Sequence, residues 1–379
     1  MKALRIRGGE VVHPQTSRTT REDVWICGGH ISASECGEAT VLDASGLYVA
    51  PGFIDLQVNG GVGHSFENAS VAQIDKIAGF HASHGTTGML PTVVTAPIEE
   101  MRASVERMRL ANHPAILGAH IEGPFIAPAR KGAHNRDHIA EPSVDVLNQL
   151  LGENGAFVRV MTLAPELPGA NEVIAEIRRR GIVASMGHSD ASYEQAMEAI
   201  TRGVTLFTHV FNAMRMAHHR SPGVVGAALA SDTMVELIAD GIHVHPGAVR
   251  FLFKAKGADR VCLVTDAVSA AGLHDGEHQL GGLKVIAVNG TARLEDGTLA
   301  GSTLTMDQAL RRYLSASGCS IADAVRAGSL NPAKVLRLDD RKGSLDPGKD
   351  ADVTVFDDEL NVHWTIINGE VVFARDRQA

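Results

Sequence analysis

Four stretches of this sequence share one design, a short apolar run that ends in a side chain able to bind a metal ion or carry a proton. The four side chains belong to Glu122, His188, His209 and Asp266. A carboxylate at the end of a buried strand is costly to desolvate unless a cation or hydrogen bonds meet it. One glutamate, two histidines and one aspartate in such positions therefore predict a hydrolytic site built around a single metal ion.

Glu122, His188 and His209 are predicted to supply three protein ligands, with water in the fourth position, as is usual for catalytic zinc. Taken singly, each has an ordinary alternative, which is a buried salt bridge for Glu122 and a satisfied core position for each histidine. Their joint occurrence at strand ends favours the metal site. Two histidines and one glutamate suit Zn²⁺ best, and Fe²⁺, Co²⁺ or Mn²⁺ fit the same ligands.

Asp266 is predicted to act first as a general base and then as a general acid. It would take a proton from the attacking water and pass that proton to the leaving group. The alternative is structural, because aspartate is a good N-cap and a helix is expected after the eighth strand. The residue type alone leaves both interpretations open.

The elements that must position these side chains follow a repeating pattern between residues 51 and 341. Apolar runs of strand length alternate with amphipathic segments, which is typical of βα units around a parallel sheet. The eight predicted strands are Phe53–Val58, Gly88–Val93, Ala115–Ile121, Phe157–Leu163, Ile182–Met186, Thr205–Thr208, Met234–Ala239 and Arg260–Thr265. The predicted amphipathic helices are Val71–His84, Ile98–Ala111, Asn171–Arg180 and Ser192–Arg202. Eight such units predict an α/β fold of the TIM (β/α)8 class, with the active site at the C-terminal ends of the strands.

Both ends of the chain contain short strand patterns separated by glycine turns. In the C-terminal part, Asn368-Gly369 lies between two apolar runs and is a strong hairpin signal. This tail is too short to hold a core alone. We therefore expect a small β-sandwich domain formed from both termini, residues 1–50 plus 342–379, beside a barrel of residues 51–341.

The composition excludes several classes of function. A net charge of −9 and a pI near 6.0 give no general attraction to phosphate backbones, so no nucleic-acid partner is expected. No apolar stretch approaches the ~20 residues of a membrane span, so no membrane association is expected. The cysteines form no CxxC pair, which argues against a disulfide framework and favours the cytoplasm. They are Cys27, Cys36, Cys262 and Cys319.

The order of several motifs resembles the amidohydrolase superfamily. These motifs are Pro51–Asp55, Glu122-Gly123-Pro124, Gly187-His188-Ser189, Thr208-His209, Thr265-Asp266-Ala267 and the closing stretch from Asn331 to Asp352. Within the superfamily the chain is similar to the N-acetylglucosamine-6-phosphate deacetylase family. The narrower similarity lies in His120–Phe125, Lys131–Asn135, Phe211–Met214, Ala239–His243 and Leu299–Ser302. It covers nearly the whole chain.

The resemblance implies an enzyme that converts N-acetylglucosamine 6-phosphate to glucosamine 6-phosphate and acetate. It favours catalysis over helix capping for Asp266. It also implies a homodimer, with part of the phosphate site lent by the neighbouring subunit near the interface. The residues that would contact the substrate are His134, Asn212, Ala213, Arg220 and His243. For His134 two roles remain open, polarising the acetyl carbonyl or holding a sugar hydroxyl.

One departure from the superfamily pattern concerns the first strand, which usually ends in His-x-His. Here it ends in Gln57-Val58-Asn59. Amides are poorer zinc ligands than imidazoles. The resemblance therefore implies one divalent metal ion per subunit, with the second metal position empty or weak. Farther along, Ser302 is expected to begin a helix, and its loop is expected to line the sugar pocket.

Two other functions remain to be weighed. The first is a cyclic-amide hydrolase of the same superfamily, but such enzymes usually keep His-x-His and often carry a carboxylated lysine on the fourth strand. The second is a catalytically inactive barrel that serves as a scaffold. Retention of all four chemical side chains argues against the scaffold.

Overall fold

The structure is a computed structural model that describes residues 3–280 and 282–375. Its first fifty residues form strands that lie outside the barrel. They are β1 (Ala3–His13), β2 (Arg18–Cys27), β3 (His30–Ser32), β4 (Ala39–Asp43) and β5 (Tyr48–Pro51).

The barrel begins with β6 (Phe53–Val58), which is followed by a short hairpin of β7 (Gly60–Gly61) and β8 (His64–Ser65). The other seven barrel strands are β9 (Thr86–Val94), β10 (Ala119–Glu122), β11 (Val158–Leu163), β12 (Val183–Met186), β13 (Val204–Phe207), β14 (Met234–Leu237) and β15 (Val261–Leu263). All eight predicted strands are therefore confirmed. The third begins later than predicted, because Gly118, at φ 143°, interrupts the run.

The eight strands are parallel and follow the order β6-β9-β10-β11-β12-β13-β14-β15. The sheet nearly closes between its two edges. The backbone N–H of Asp266 donates to the Gln57 carbonyl, and that of Asn59 donates to the Ala267 carbonyl, both at 2.8 Å. The closing contacts lie at the C-terminal ends of the strands, where the chemical residues are found.

Helices alternate with the strands, as the periodicity predicted. They are α1 (Val71–Ala82), α2 (Ile98–Ala111), α3 (Val144–Leu151), α4 (Ala170–Arg179), α5 (Tyr193–Arg202), α6 (Gly223–Ala230), α7 (Pro246–Lys256), α8 (Met306–Ser317), α9 (Ile321–Gly328) and α10 (Leu330–Val335). Short 3-10 turns cover Pro128–Arg130, Arg136–His138 and Gly152–Phe157. Local chemistry fixes the helix starts. Ser192, for example, accepts a hydrogen bond from the Gln195 backbone and so caps α5.

A four-stranded antiparallel sheet is inserted between β15 and α8, and the sequence did not predict it. Its strands are β16 (Gly276–Leu280), β17 (Leu283–Val288), β18 (Thr291–Arg293) and β19 (Leu299–Ser302). The expectation that Ser302 begins a helix is wrong. Ser302 ends β19 and its hydroxyl bonds the Thr265 carbonyl, whereas α8 begins at Met306 after its N-cap Thr305.

The chain ends with β20 (Val353–Phe356), β21 (Val362–Ile367) and β22 (Glu370–Ala374). These strands join the first five in one eight-stranded sheet, in the order β22-β21-β20-β5-β1-β2-β3 with β4 beside β1. Its apolar cluster draws on both ends of the chain, for example Ile6 and Val353. A separate β domain formed from both termini is thus confirmed. None of the helices in the described ranges has the length and apolar character that a bilayer span requires.

Cys27 and Cys36 form a disulfide in this sheet, with their Cα atoms 6.1 Å apart. The sequence argued against a disulfide framework, and the structure contains this one disulfide all the same. The spacing of nine residues carries no recognisable motif, and the pairing depends on how the β2–β3 hairpin returns the chain. Cys262 and Cys319 carry free thiols.

Candidate active site

Three ligand-type atoms converge at the C-terminal end of the barrel. Glu122 Oε1 lies 3.0 Å from His188 Nε2 and 2.9 Å from His209 Nε2, and the two ring nitrogens are 3.2 Å apart. All three side chains are buried. A carboxylate oxygen and two imidazole nitrogens, brought together away from water, form a donor set that fits a divalent metal ion.

The backbone at these positions has an unusual conformation. His188, His209 and Asp266 have φ values of 49°, 30° and 49°, and each follows shortly after a barrel strand ends. Positive φ is uncommon for residues other than glycine, and such strained positions cluster at functional sites. The turn at each strand end directs the side chain towards the same point.

The tautomer of His188 suits metal binding. Its Nδ1 lies 2.8 Å from the Arg130 carbonyl oxygen, which can only accept, so Nδ1 carries the proton and Nε2 presents a lone pair. Burial, together with the charge of His134, lowers the pKa of His188 to about 4, so the ring is neutral at pH 7. The lone pair of this neutral nitrogen faces a carboxylate oxygen at 3.0 Å, an arrangement that is favourable when both atoms bind the same cation.

His209 differs from His188 in its electrostatics. Burial alone would lower the pKa of His209, but the hydrogen bond to Glu122 and the charges of Glu122, Asp266 and Glu236 raise it to about 9. Burial tends to raise the pKa of Glu122, while its bonds with the histidines hold that pKa well below the usual value. Glu122 is therefore the anionic centre of the cluster.

His134 lies in the same cluster, but its Nδ1 accepts a hydrogen bond, whereas the Nδ1 of His188 donates one. Its Nε2 lies 3.8 Å from Glu122 Oε2, and ligand atoms of Glu122, His134 and His188 fall within 4.8 Å of one another. Distance alone would thus allow His134 as a ligand. However, the Thr95 backbone N–H donates to His134 Nδ1 at 3.2 Å. Since Nδ1 accepts, the neutral ring carries its proton on Nε2, which makes that atom a donor rather than a metal ligand.

Asp266 lies beside the cluster, buried, and lines the same cavity. Asn59 Nδ2 donates to Asp266 Oδ1 at 2.7 Å. Burial raises the pKa of Asp266 to about 6, and the charge of Glu122 acts in the same direction. No helix in the described chain begins there, because the inserted sheet follows, so the N-cap alternative for Asp266 is wrong.

A cavity of about 330 Å³ opens over these groups. Four of the five predicted substrate residues line it, namely His134, Asn212, Ala213 and His243, together with Arg130, Gly132 and the inserted sheet's Leu280 and Leu299. The fifth, Arg220, does not line this cavity and is exposed on the loop before α6. The His243 ring is held by a 2.6 Å hydrogen bond from Nδ1 to Asp240 Oδ2.

The sequence analysis missed Asn59 and Arg130 as members of the site. Asn59 was noted only as a poor metal ligand, and its bond to Asp266 spans too much sequence to be anticipated. Arg130 lines the cavity and pairs with Asp190 at 2.8 Å. A larger cavity of about 650 Å³ lies elsewhere, among Arg178, Lys334 and Arg337, but it contains none of the predicted catalytic groups.

Several known proteins are similar to this chain. Residues 48–372 match the model of the Amidohydrolase family. N-acetylglucosamine-6-phosphate deacetylase from Bos taurus is 42% identical, over 97% of this chain and 93% of that protein. N-acetylgalactosamine-6-phosphate deacetylase from Escherichia coli O157:H7 is 37% identical, over 91% and 93% respectively.

A solved structure also superposes closely. It is a mutant of N-acetyl-D-glucosamine-6-phosphate deacetylase from Mycobacterium smegmatis, in complex with N-acetyl-D-glucosamine-6-phosphate. The TM-score is 0.93 at 32% identity, and the match covers 99% of this chain and all of that chain. Similarity of this extent includes both the barrel and the sheet built from the termini.

Proposed function

This chain belongs to the amidohydrolase family and, within it, to the N-acetylglucosamine-6-phosphate deacetylases, and we propose that it hydrolyses the acetamido group of N-acetylglucosamine 6-phosphate. The products are glucosamine 6-phosphate and acetate. The observation that carries the proposal is the convergence of Glu122, His188 and His209 beside Asp266. Metal-dependent amide hydrolysis needs a donor set of this kind with a proton carrier next to it.

We propose Glu122, His188 and His209 as the metal ligands, holding one divalent ion per subunit. Zn²⁺ is the preferred ion for two imidazoles and one carboxylate, and Fe²⁺, Co²⁺ and Mn²⁺ are the alternatives. When bound, such an ion supplies Lewis acidity and makes water a nucleophile at neutral pH. The unprotonated Nε2 of His188 and the anionic Glu122 support this assignment.

Asp266 is the proposed general base and acid. With a pKa of about 6, its carboxylate is mostly ionised at pH 7, yet it binds a proton more readily than an exposed aspartate does. Asn59 occupies Oδ1 as a hydrogen-bond donor, which leaves Oδ2 to take the proton from the attacking water. The same oxygen then delivers this proton to the departing amine.

His134 is the proposed donor to the acetyl carbonyl oxygen. Its Nε2–H faces the cavity beside Glu122, and Thr95 fixes the tautomer from behind. As the carbonyl carbon becomes tetrahedral, negative charge grows on the oxygen, and a pre-oriented N–H stabilises that charge. This geometry favours carbonyl polarisation over binding of a sugar hydroxyl.

Asn212, Ala213 and His243 are the proposed contacts of the sugar phosphate, since they line the cavity. We propose that Arg220 joins them from a neighbouring subunit. It is exposed outside its own chain's cavity, and a guanidinium is well suited to a phosphate. The enzyme would then be a homodimer with its active sites near the interface.

Two further assignments belong to this proposal. Residues 1–50 plus 342–379 form the small domain and residues 51–341 the barrel, a division supported by the sheet that joins β1–β5 to β20–β22. The proposed location is the cytoplasm, where the pathway for a phosphorylated amino sugar would run. Disulfides are rare in the reducing cytoplasm, so the Cys27–Cys36 disulfide is the one observation that does not favour this location.

The alternative functions have less support. The relatives that cover this chain almost completely are amino-sugar phosphate deacetylases rather than cyclic-amide hydrolases. N-acetylgalactosamine 6-phosphate is a second candidate substrate, because one of these relatives is named for it. An inactive scaffold would have no need for the strained backbone at three chemical side chains.

Metal removal and reconstitution test this proposal. The purified protein is stripped with a chelator, and acetate release from N-acetylglucosamine 6-phosphate is followed as Zn²⁺ is added back. We expect activity to vanish on stripping and to return fully with one equivalent per subunit. Acetate release that survives in the metal-free protein would refute the assignment.

A further inference from the structure

The two proposed histidine ligands differ in how their second ring nitrogen is held. His188 donates from Nδ1 to the Arg130 carbonyl oxygen at 2.8 Å. His209 Nδ1 is buried, and no partner for it occurs within the described ranges. If Nε2 of His209 binds a metal, Nδ1 must carry the proton. A buried N–H without an acceptor costs about 1–3 kcal/mol.

Glu236, on the strand next to His209, carries hydrogen-bond acceptors that lack a donor in the described part of the chain. Its side chain is fully buried, and neither carboxylate oxygen has a hydrogen-bond partner among the described residues. Burial raises its pKa to about 8, so the carboxyl is largely protonated at pH 7 unless a neighbouring cation favours the charged form. Buried polar groups almost always form hydrogen bonds with protein or with ordered water. A carboxylate here without a described protein partner therefore points to an ordered water.

The strand register brings these two residues together. β13 and β14 pair with Phe207 opposite Val235, and the Val210 backbone N–H donates to the Glu236 carbonyl at 2.8 Å. The Glu236 charge raises the pKa of His209, and the charge of His209 lowers that of Glu236. The His209 backbone N–H also lies near this carboxyl, but outside hydrogen-bond geometry. The carboxylate is therefore near the imidazole, but it forms no direct hydrogen bond with it.

Gln57, near the end of the first barrel strand, also carries buried polar atoms. Both atoms of its amide group are buried without partners in the part of the chain that the structure describes, as is Asn59 Oδ1. A water molecule inside a protein needs polar neighbours, and it usually makes about three hydrogen bonds. The unpartnered atoms of His209 and Glu236 offer such a water one donor and one carboxylate.

We propose that Glu236 is a positioning residue for His209, which donates from Nδ1 to the Glu236 carboxylate through one ordered water. This inference rests on the proposed function, because it takes His209 as a metal ligand. A carboxylate behind a ligating imidazole fixes the ring's tautomer and orientation and strengthens the metal bond. Glu236 thus does for His209 what the Arg130 carbonyl does for His188.

The test compares Glu236→Gln with Asp55→Asn. Glutamine has almost the shape of glutamate but lacks the anionic acceptor. Asp55 is also a buried carboxylate, but its oxygens are held by Thr265 and by the Gln57 backbone, so its replacement serves as the matched control. Zn²⁺ affinity is measured by competition with a fluorescent chelator, and the thermal stability of each metal-free protein is recorded beside it.

We expect Glu236→Gln to weaken Zn²⁺ binding by about 10–100-fold, the usual effect of removing such a partner. Asp55→Asn should change the affinity by less than about threefold. Wild-type affinity in Glu236→Gln would overturn the proposal, whatever its thermal stability. Binding of two Zn²⁺ ions by the wild type and one by Glu236→Gln would also overturn it, because Glu236 would then be a ligand itself.

A measurement on the wild type keeps the proposal falsifiable if Glu236→Gln fails to fold. A high-resolution crystal structure of the zinc-loaded protein should contain one water within about 3.2 Å of both His209 Nδ1 and a Glu236 oxygen. A direct contact or a dry gap there would contradict the proposal. Absence of zinc from the wild-type protein would instead refute the metal assignment itself, so the two failures are distinguishable.

Discussion

Asn59 donates a 2.7 Å hydrogen bond to Asp266 and thereby joins the end of the first barrel strand to the residue that follows the eighth. In the superfamily pattern, the position of Asn59 belongs to the second histidine of His-x-His. In this chain the amide holds the proposed base in place. The amide at this position therefore has a structural use of its own.

Removal of the Asn59 amide should shift the pH dependence of the reaction. The pKa of Asp266 is raised to about 6, and the base must be ionised, so activity is present above this pKa and lost as the pH falls through it. A nearby divalent cation moves that limb lower. Because the amide favours the ionised form, Asn59→Ala should move the acid limb of kcat/KM to higher pH.

The pH profile of Asn59→Ala is measured at saturating zinc. Gln57→Ala is the matched control, since Gln57 also lies at the end of β6 but makes no side-chain bond to Asp266. Its acid limb should stay where the wild-type limb lies. An unchanged limb in Asn59→Ala would show that the amide does not tune Asp266.

Asp266→Asn should abolish turnover without loss of metal. An amide cannot accept the proton of the attacking water, and general-base catalysis contributes about 10²–10⁴-fold. Acetate release and zinc content are measured on the same preparation. Glu122→Gln provides the contrast, because it should lose both. A drop of less than about tenfold in Asp266→Asn would assign the proton transfer to another group.

His134→Ala separates the two chemical roles that its position allows. As a carbonyl donor, its loss should lower kcat by about 10²–10³-fold, with zinc affinity kept and KM little changed. His138→Ala, in the same loop but partly exposed, should leave both parameters within about twofold. If His134→Ala instead releases the zinc, His134 is a ligand and the tautomer argument fails.

Arg220→Ala should raise KM for the phosphorylated sugar by about tenfold or more, because a charge-assisted contact is worth about 1.5–3 kcal/mol. The exposed Arg250 on α7 serves as the control. Mixed dimers of Arg220→Ala with Asp266→Asn should contain one site with both residues intact and regain part of the activity. Failure of mixing to restore activity would place Arg220 in its own subunit's site or outside the site altogether.

The sequence predicted the barrel and the cluster because both depend on short-range patterns. Apolar runs mark the strands, and Glu122, His188, His209 and Asp266 follow them directly. Parallel strands carry their C-terminal ends to one face, so those side chains had to meet.

The remainder of the site depends on contacts that no local pattern encodes. The proton of His134 is fixed by Thr95, thirty-nine residues away, and Asp266 is held by Asn59 from the other edge of the barrel. The inserted sheet escaped prediction because β17 is exposed and apolar at Ile286 and Val288, so its alternation is blurred. The sequence places Arg220 in the phosphate site without fixing which subunit supplies it, and in the structure Arg220 lies outside its own chain's cavity.

The most direct test of the account is acetate release by the zinc-loaded protein from N-acetylglucosamine 6-phosphate, with unphosphorylated N-acetylglucosamine alongside. We predict fast release from the phosphorylated sugar and a kcat/KM lower by about two orders of magnitude or more without the phosphate. No release from either sugar by protein that holds one zinc per subunit would contradict the proposed reaction, while equal release from both would contradict the phosphate site.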